Sequence, residues 1–119
     1  MRLLAAAVAL LAAPLSAGDV PSGHEVSLHE VLVDAQDSTT YLRFRFLTPH
    51  ISVADSGDDM FHLCETVALP YIDEFALDAD TIVISFMDRL IEFGEADPDT
   101  TQIFEAFRTE NGTCIWDEF

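Results

Sequence analysis

Six residues near the middle of the chain fix its local conformation most tightly. Tyr41-Leu42-Arg43-Phe44-Arg45-Phe46 alternates without a break. Leu42, Phe44 and Phe46 fall on one side of an extended chain, and Tyr41, Arg43 and Arg45 on the other. Strict period two is the pattern of a half-buried strand with one face on a core. Val26 to Val33 is similarly rich in Val and Leu. The polar cluster Asp34-Ala35-Gln36-Asp37-Ser38 lies between the two runs, so they are expected to form a hairpin.

Pro49 ends the second strand. Asp55, Ser56 and Asp58 then offer helix-capping side chains. Met60, Cys64, Val67, Tyr71 and Phe75 follow at spacings of four, three, four and four. That places them on one helix face. Pro70 sits inside this stretch and clashes with the preceding turn, which predicts a kinked helix or two short ones meeting there. Thr81 to Phe86 is apolar on both faces, as in a central strand. Residues 102–108 read two ways. Asp97 with Pro98 could start a helix carrying Ile103, Phe104 and Phe107 on one face. Against that, Glu110-Asn111-Gly112 between two short runs signals a hairpin, with Cys114-Ile115-Trp116 as its second strand. We adopt the hairpin. The order is then β-β-α-β-β-β, an α+β domain with one kinked helix packed on one face of an antiparallel β-sheet.

The N-terminus has a separate character. Arg2 precedes an unbroken apolar run from Leu3 to Ala13, Pro14 ends it, and Leu15-Ser16-Ala17 places a small residue at a cleavage point. These are the three parts of a secretory signal peptide, 1–17. A spanning helix needs about 20 apolar residues, and no later run approaches that. Cleavage after Ala17 leaves one domain, 18–119, with no membrane span, and an exported protein, periplasmic or secreted, is expected.

Charge narrows the partners. The chain has 22 acidic residues against five arginines and no lysine, a formal charge of −17. All the acids follow Ala17, so losing Arg2 with the leader makes it −18. Such a surface repels nucleic acid and anionic lipid. It suits cations or a basic periplasmic or envelope protein. Export also implies an oxidising compartment, where Cys64 and Cys114, the two cysteines of the chain, are expected to form one disulfide.

The second half carries a resemblance. Ile84-Ser85-Phe86-Met87-Asp88-Arg89, Glu92-Phe93-Gly94-Glu95, Asp97-Pro98, the run Thr101 to Arg108 and the ending Asn111-Gly112-Thr113-Cys114-Ile115-Trp116 resemble a family of small exported alphaproteobacterial proteins, a domain of unknown function. The resemblance covers residues 60–119 well and the first hairpin loosely. It implies a compartment and no activity.

Candidate chemistry is sparse. Glu95, Asp97 and Asp99 place carboxylates at alternate positions of a loop, as calcium loops often do. The glycine and closing glutamate of an EF-hand are missing, with Thr100 and Thr101 in their place. Asp55, Asp58 and Asp59 form a second acidic cluster. His24, His29, His50 and His62 show no metal-ligand spacing. Ser85 has no nucleophile elbow around it. Asp88 and Arg89 read as a surface ion pair. Phe104, Phe107, Trp116 and Phe119 are assigned to the core. No residue is assigned a catalytic role and no cofactor is implied. The reading is a non-catalytic binding or interaction module. The alternatives are a small hydrolase acting through carboxylates and a weak calcium-binding protein.

Overall fold

A computed structural model describes residues 20–117, and two short strands nearer the N-terminus, 4–8 and 14–15, by their backbone. The strands are β1 (Leu4–Val8), β2 (Pro14–Leu15), β3 (Val26–Gln36), β4 (Thr39–Leu47), β5 (Thr81–Met87), β6 (Gln102–Glu110) and β7 (Thr113–Trp116). Over residues 20–117 the order is β-β-α-β-β-β, as the periodicities predict. All seven strands join one sheet in the order β1-β3-β4-β5-β6-β7, with β2 also on β3. Neighbours are antiparallel except β4 and β5, which run parallel.

The sheet is therefore mixed, where the sequence reading had it antiparallel. The physical reason is the connection. Two parallel neighbours need a crossover long enough to carry the chain back to the start of the first strand, and a helix supplies it. Here the chain leaves β4 at Leu47 and returns at Thr81. The return is clamped at both ends. Thr40 N donates to the Asp80 carboxylate at 2.8 Å and Asp80 N donates to Thr40 O at 2.9 Å. At the far end Thr48 N donates to Met87 O.

The crossover is α1 (Val53–Leu63), a π-helical turn (Cys64–Ala68) and α2 (Leu69–Glu74), continuous in the chain. Pro70 has no N–H to give and its ring meets the carbonyl four residues back. The wider π turn just before it takes up that clash. Ser52 is the N-cap residue, three positions before the first predicted cap, and it makes no side-chain cap bond. Asp55, Ser56 and Asp58 lie inside the helix, and Ser56 Oγ donates back to Ser52 O.

The helix covers one face of the sheet. Leu42, Phe44 and Phe46 are at most 1 % exposed and pack with Met60, Leu63, Tyr71, Ile84 and Phe107. Phe44 meets Tyr71 edge to face at 5.5 Å, and Phe46 meets Phe86 at 6.2 Å. Val20 is also buried in this core, at the start of the stretch 20–23 that leads towards β3. Asp59 ties that stretch down. Its buried carboxylate accepts from Ser22 N at 3.0 Å and Ser22 Oγ at 2.6 Å. Phe75, placed by periodicity on the core face, is half exposed and leans on Tyr71.

The β6–β7 turn has positive φ at both Asn111 and Gly112, 54° and 78°. That is the backbone a two-residue hairpin needs, which Asn-Gly adopts with little strain. The hairpin brings Cys114 to the π turn, and Cys64 and Cys114 are bonded, with Cα atoms 6.3 Å apart. Glu65 accepts from Cys114 N beside them at 3.0 Å. No helix among the described residues is long and apolar enough to cross a membrane.

The charge has a direct thermodynamic consequence. Arg43 and Arg45 are largely buried in ion pairs, which salt screens little, while most of the acids are exposed. Raising sodium chloride from about 0.05 to about 1 M shortens the Debye length to about 3 Å and removes most surface repulsion. Melting temperature should rise clearly over that range. A flat or falling melting curve would show that self-repulsion does not dominate.

Candidate functional site

The sheet face opposite the helix carries the polar half of the β4 alternation, and it is covered too. Glu30 lies opposite Arg45 in the ladder and pairs with it; Asp34 Oδ2 lies 2.9 Å from Arg43 Nε. Arg45 is 4 % exposed, so the predicted solvent face of this strand is interior. Its second Nη donates to Ile91 O at 2.9 Å and approaches Met87 Sδ at 3.4 Å. Ile91 belongs to the loop between β5 and β6, which folds back beneath the sheet.

That loop is held at its neck. Asp88 N donates to Thr101 O, and Thr101 N donates to the Asp88 carboxylate at 3.0 Å. Loops with pinned ends pack as units on their own side chains. Besides Ile91, Phe93 brings the loop against the sheet. Its ring lies over both guanidiniums, 5.3 Å from Arg43 and 5.8 Å from Arg45. A cation over a ring is attracted by the ring's quadrupole. Phe93 remains 39 % exposed on its outer side.

Phe93 divides two clefts. One, of about 510 Å³, is lined by His29, Glu30, Leu32, Leu90 and Ile91. The other, of about 400 Å³, is lined by Arg43, Arg45, Glu95, Ile103 and Phe104. Both lie in the size range of small-ligand sites. A third cleft, of about 440 Å³, opens on the helix side of β6 between Val53 and Phe104. Phe104 is 57 % exposed where two of these clefts meet. This corrects its assignment to the core. The ladder explains it: Phe104 lies opposite Ser85, on the Arg45 side of the sheet, while Phe107 lies opposite Ile82 and is fully buried. Trp116 is likewise 43 % exposed, stacked on Phe61 at 6.0 Å. Phe119 lies outside the described residues.

The sequence-picked carboxylates do not assemble. Asp97 turns inward on its own loop, accepting from Asp99 N at 2.9 Å and Thr100 Oγ1 at 3.0 Å. The Asp99 N–H, then the Thr100 hydroxyl and Arg89, hold its carboxyl below the usual range. Glu95 lines the 400 Å³ cleft instead. Asp55 stands 3.6 Å from His24, Asp58 is exposed, and Asp59 is the buried anchor of Ser22. Among the described residues no three His, Cys, Asp or Glu side chains converge on a point where a metal could sit. Asp88 is engaged with Thr101, and no ion pair joins it to Arg89 among the described residues.

The arrangement is suited to binding. Arg43 and Arg45 on the floor of the 400 Å³ cleft are each paired with a carboxylate, Asp34 and Glu30. Arg45 is spent on Glu30 and Ile91. Arg43 keeps both Nη atoms without a hydrogen bond among the described residues. Phe93 and Phe104 add apolar area at the mouth.

No curated protein and no solved structure matches the chain. A family model described as "Family of unknown function (DUF6497)" matches residues 3–119, nearly the whole chain, and the protein belongs to that family.

Proposed function

We propose that the protein is an exported, non-catalytic binding module, released after Ala17, whose partner is a basic protein of the periplasm or cell envelope. The observation that carries this reading is the aromatic mouth of the 400 Å³ cleft. Phe93 and Phe104 are both well exposed there, in a chain with ample polar side chains to cover a surface. Exposed apolar groups rimmed by charge mark interaction sites. The rim supplies Glu95, and both guanidiniums on the floor are paired with carboxylates. A partner with an apolar centre and a basic rim complements this surface, and electrostatic complementarity would speed its capture.

The test is capture from periplasmic extract, followed by binding measured with the recovered partner. A stoichiometric basic protein should be retained. Phe93→Ala with Phe104→Ala should weaken its binding by roughly 30-fold or more, as loss of aromatic anchors does. Phe104 is the more exposed of the two, so Phe104→Ala alone should hardly move the melting temperature and should still weaken binding, while the double variant also gives up the Phe93 ring over the guanidiniums. Unchanged affinity in that variant, or turnover in a screen of hydrolase substrates, would overturn the reading.

A further inference from the structure

The outer edge of β3 is covered by two strands, and both belong to the first seventeen residues. β1 supplies five positions, from Leu4 opposite Ala35 to Val8 opposite Val31. β2 supplies two, Pro14 opposite Ser27 and Leu15 opposite Val26. The inner edge of β3 is held by β4. Cleavage after Ala17 would therefore remove every strand that the described residues place on that outer edge. A long strand whose N–H and C=O groups lose their partners is a template for another chain.

We infer that the freed outer edge of β3 is a docking strand, and that it takes an extended, antiparallel, uncharged-to-basic segment of another protein. The inference rests on the cleavage reading above, and it adds to the Phe93 and Phe104 cleft a second contact at the β3 edge of the sheet. Three observations select that occupant. The seat is already used by an uncharged extended segment, Leu-Ala-Ala-Ala-Val, running antiparallel. Main-chain pairing of this kind is a general mode of peptide recognition.

Charge argues against a second copy. β3 is flanked by exposed Glu25 and Asp37, and each processed chain would carry −18, so two such edges repel while a basic segment is attracted. The ladder itself sets the length. β3 has a register shift between Leu28 and Glu30. The interval between the β1 and β2 pairings falls at that irregularity. Bulges interrupt pairing, so the usable seat is Val31 to Ala35, about the length of an ordinary strand.

The full gene, leader included, is expressed in an exporting host, and the product's mass shows whether it starts at Gly18. The ¹⁵N-labelled product is titrated with an acetylated peptide of alternating Val and Arg, about six residues long to match a strand. The same peptide N-methylated at alternate amides, which cannot complete the ladder, is the control. Alternate amides within Val31 to Ala35 should exchange about tenfold more slowly with the first peptide and not with the second. Glu25→Gln with Asp37→Asn should weaken binding severalfold, since the loss is of attraction at exposed charges. Unprocessed chain, with β1 in place, should bind at least about tenfold more weakly. A product starting at Gly18 that shows no protection of β3, or binds no better than unprocessed chain, overturns the docking strand alone. Protection of β3 in a peptide-free dimer shows that a second copy is the occupant and overturns the partner's chemistry. A product that keeps its first seventeen residues overturns the cleavage reading and the inference with it.

Discussion

Replacing Cys64 and Cys114 together by alanine should destabilise the protein by about 4 kcal/mol, more than any single surface change. The bond closes a loop with a sequence separation of 50. The chain-entropy relation gives about 4 kcal/mol for a loop of that size, chiefly through the unfolded state. For a domain of about 100 residues this lowers the melting temperature by roughly 15–30 °C. Alanine is the chosen replacement because both sulfurs are buried among apolar side chains, where a serine hydroxyl would add an unpaired polar group. The folded state loses something too. The disulfide is the covalent tie between the crossover helix and β7, and without it the contact of Trp116 with Phe61 rests on packing and on the pairing of β7 with β6. Denatured without reductant, the natural protein should show no alkylatable thiol. A loss below about 1 kcal/mol in chemical denaturation would show that the closed loop is already compact when unfolded.

Arg45→Met should cost about 3 kcal/mol or more. Breaking an interior ion pair by removing one partner leaves the other charge uncompensated, and such losses run to about 3–5 kcal/mol. Glu30 keeps some access to water, its side chain being 25 % exposed, which favours the lower end. Arg45 also satisfies the Ile91 carbonyl, so its loss frees the loop that carries Phe93. The companion variant separates these effects. Glu30→Gln in the Arg45→Met background should recover part of the stability by removing the orphaned charge, while the loop contact stays lost. Equal stability of natural and Arg45→Met proteins in urea would refute the view that this pair organises the loop-covered face. Since the Phe93 ring rests on the same guanidinium, the variant should also weaken capture of the partner proposed above.

The amino-acid sequence determines most where the governing force is local. The alternation over residues 41–46 placed Leu42, Phe44 and Phe46 in the core because side chains of an extended strand must point to alternate sides. Asn111-Gly112 placed the last hairpin because few residue pairs accept two successive positive φ angles. Pro70 announced a helix irregularity because its ring cannot share space with the preceding turn. The disulfide followed from there being two cysteines in a chain with an export-like leader, a matter of redox chemistry more than geometry.

The candidate site lies where those rules stop. Phe93 sits in a loop without periodicity, so nothing near it in sequence marks it as the lid on two arginines. Period two separated Arg43 and Arg45 from the core side correctly, but it says nothing about what covers the other side. That was decided by the crossover. The helix returns the chain beside β4, β5 pairs there in parallel, and the β5–β6 loop passes under the arginine half of β4. Phe104 and Phe107 are three residues apart on one strand and face opposite ways, so one is buried under the helix and the other stands in a cleft. Which side of the sheet the helix would take, and hence which of the two phenylalanines would be exposed, depends on contacts between distant segments, such as Phe44 with Tyr71 and Phe61 with Phe107. Periodicity gives each strand two faces, and only the packing of distant elements assigns one of them to the core.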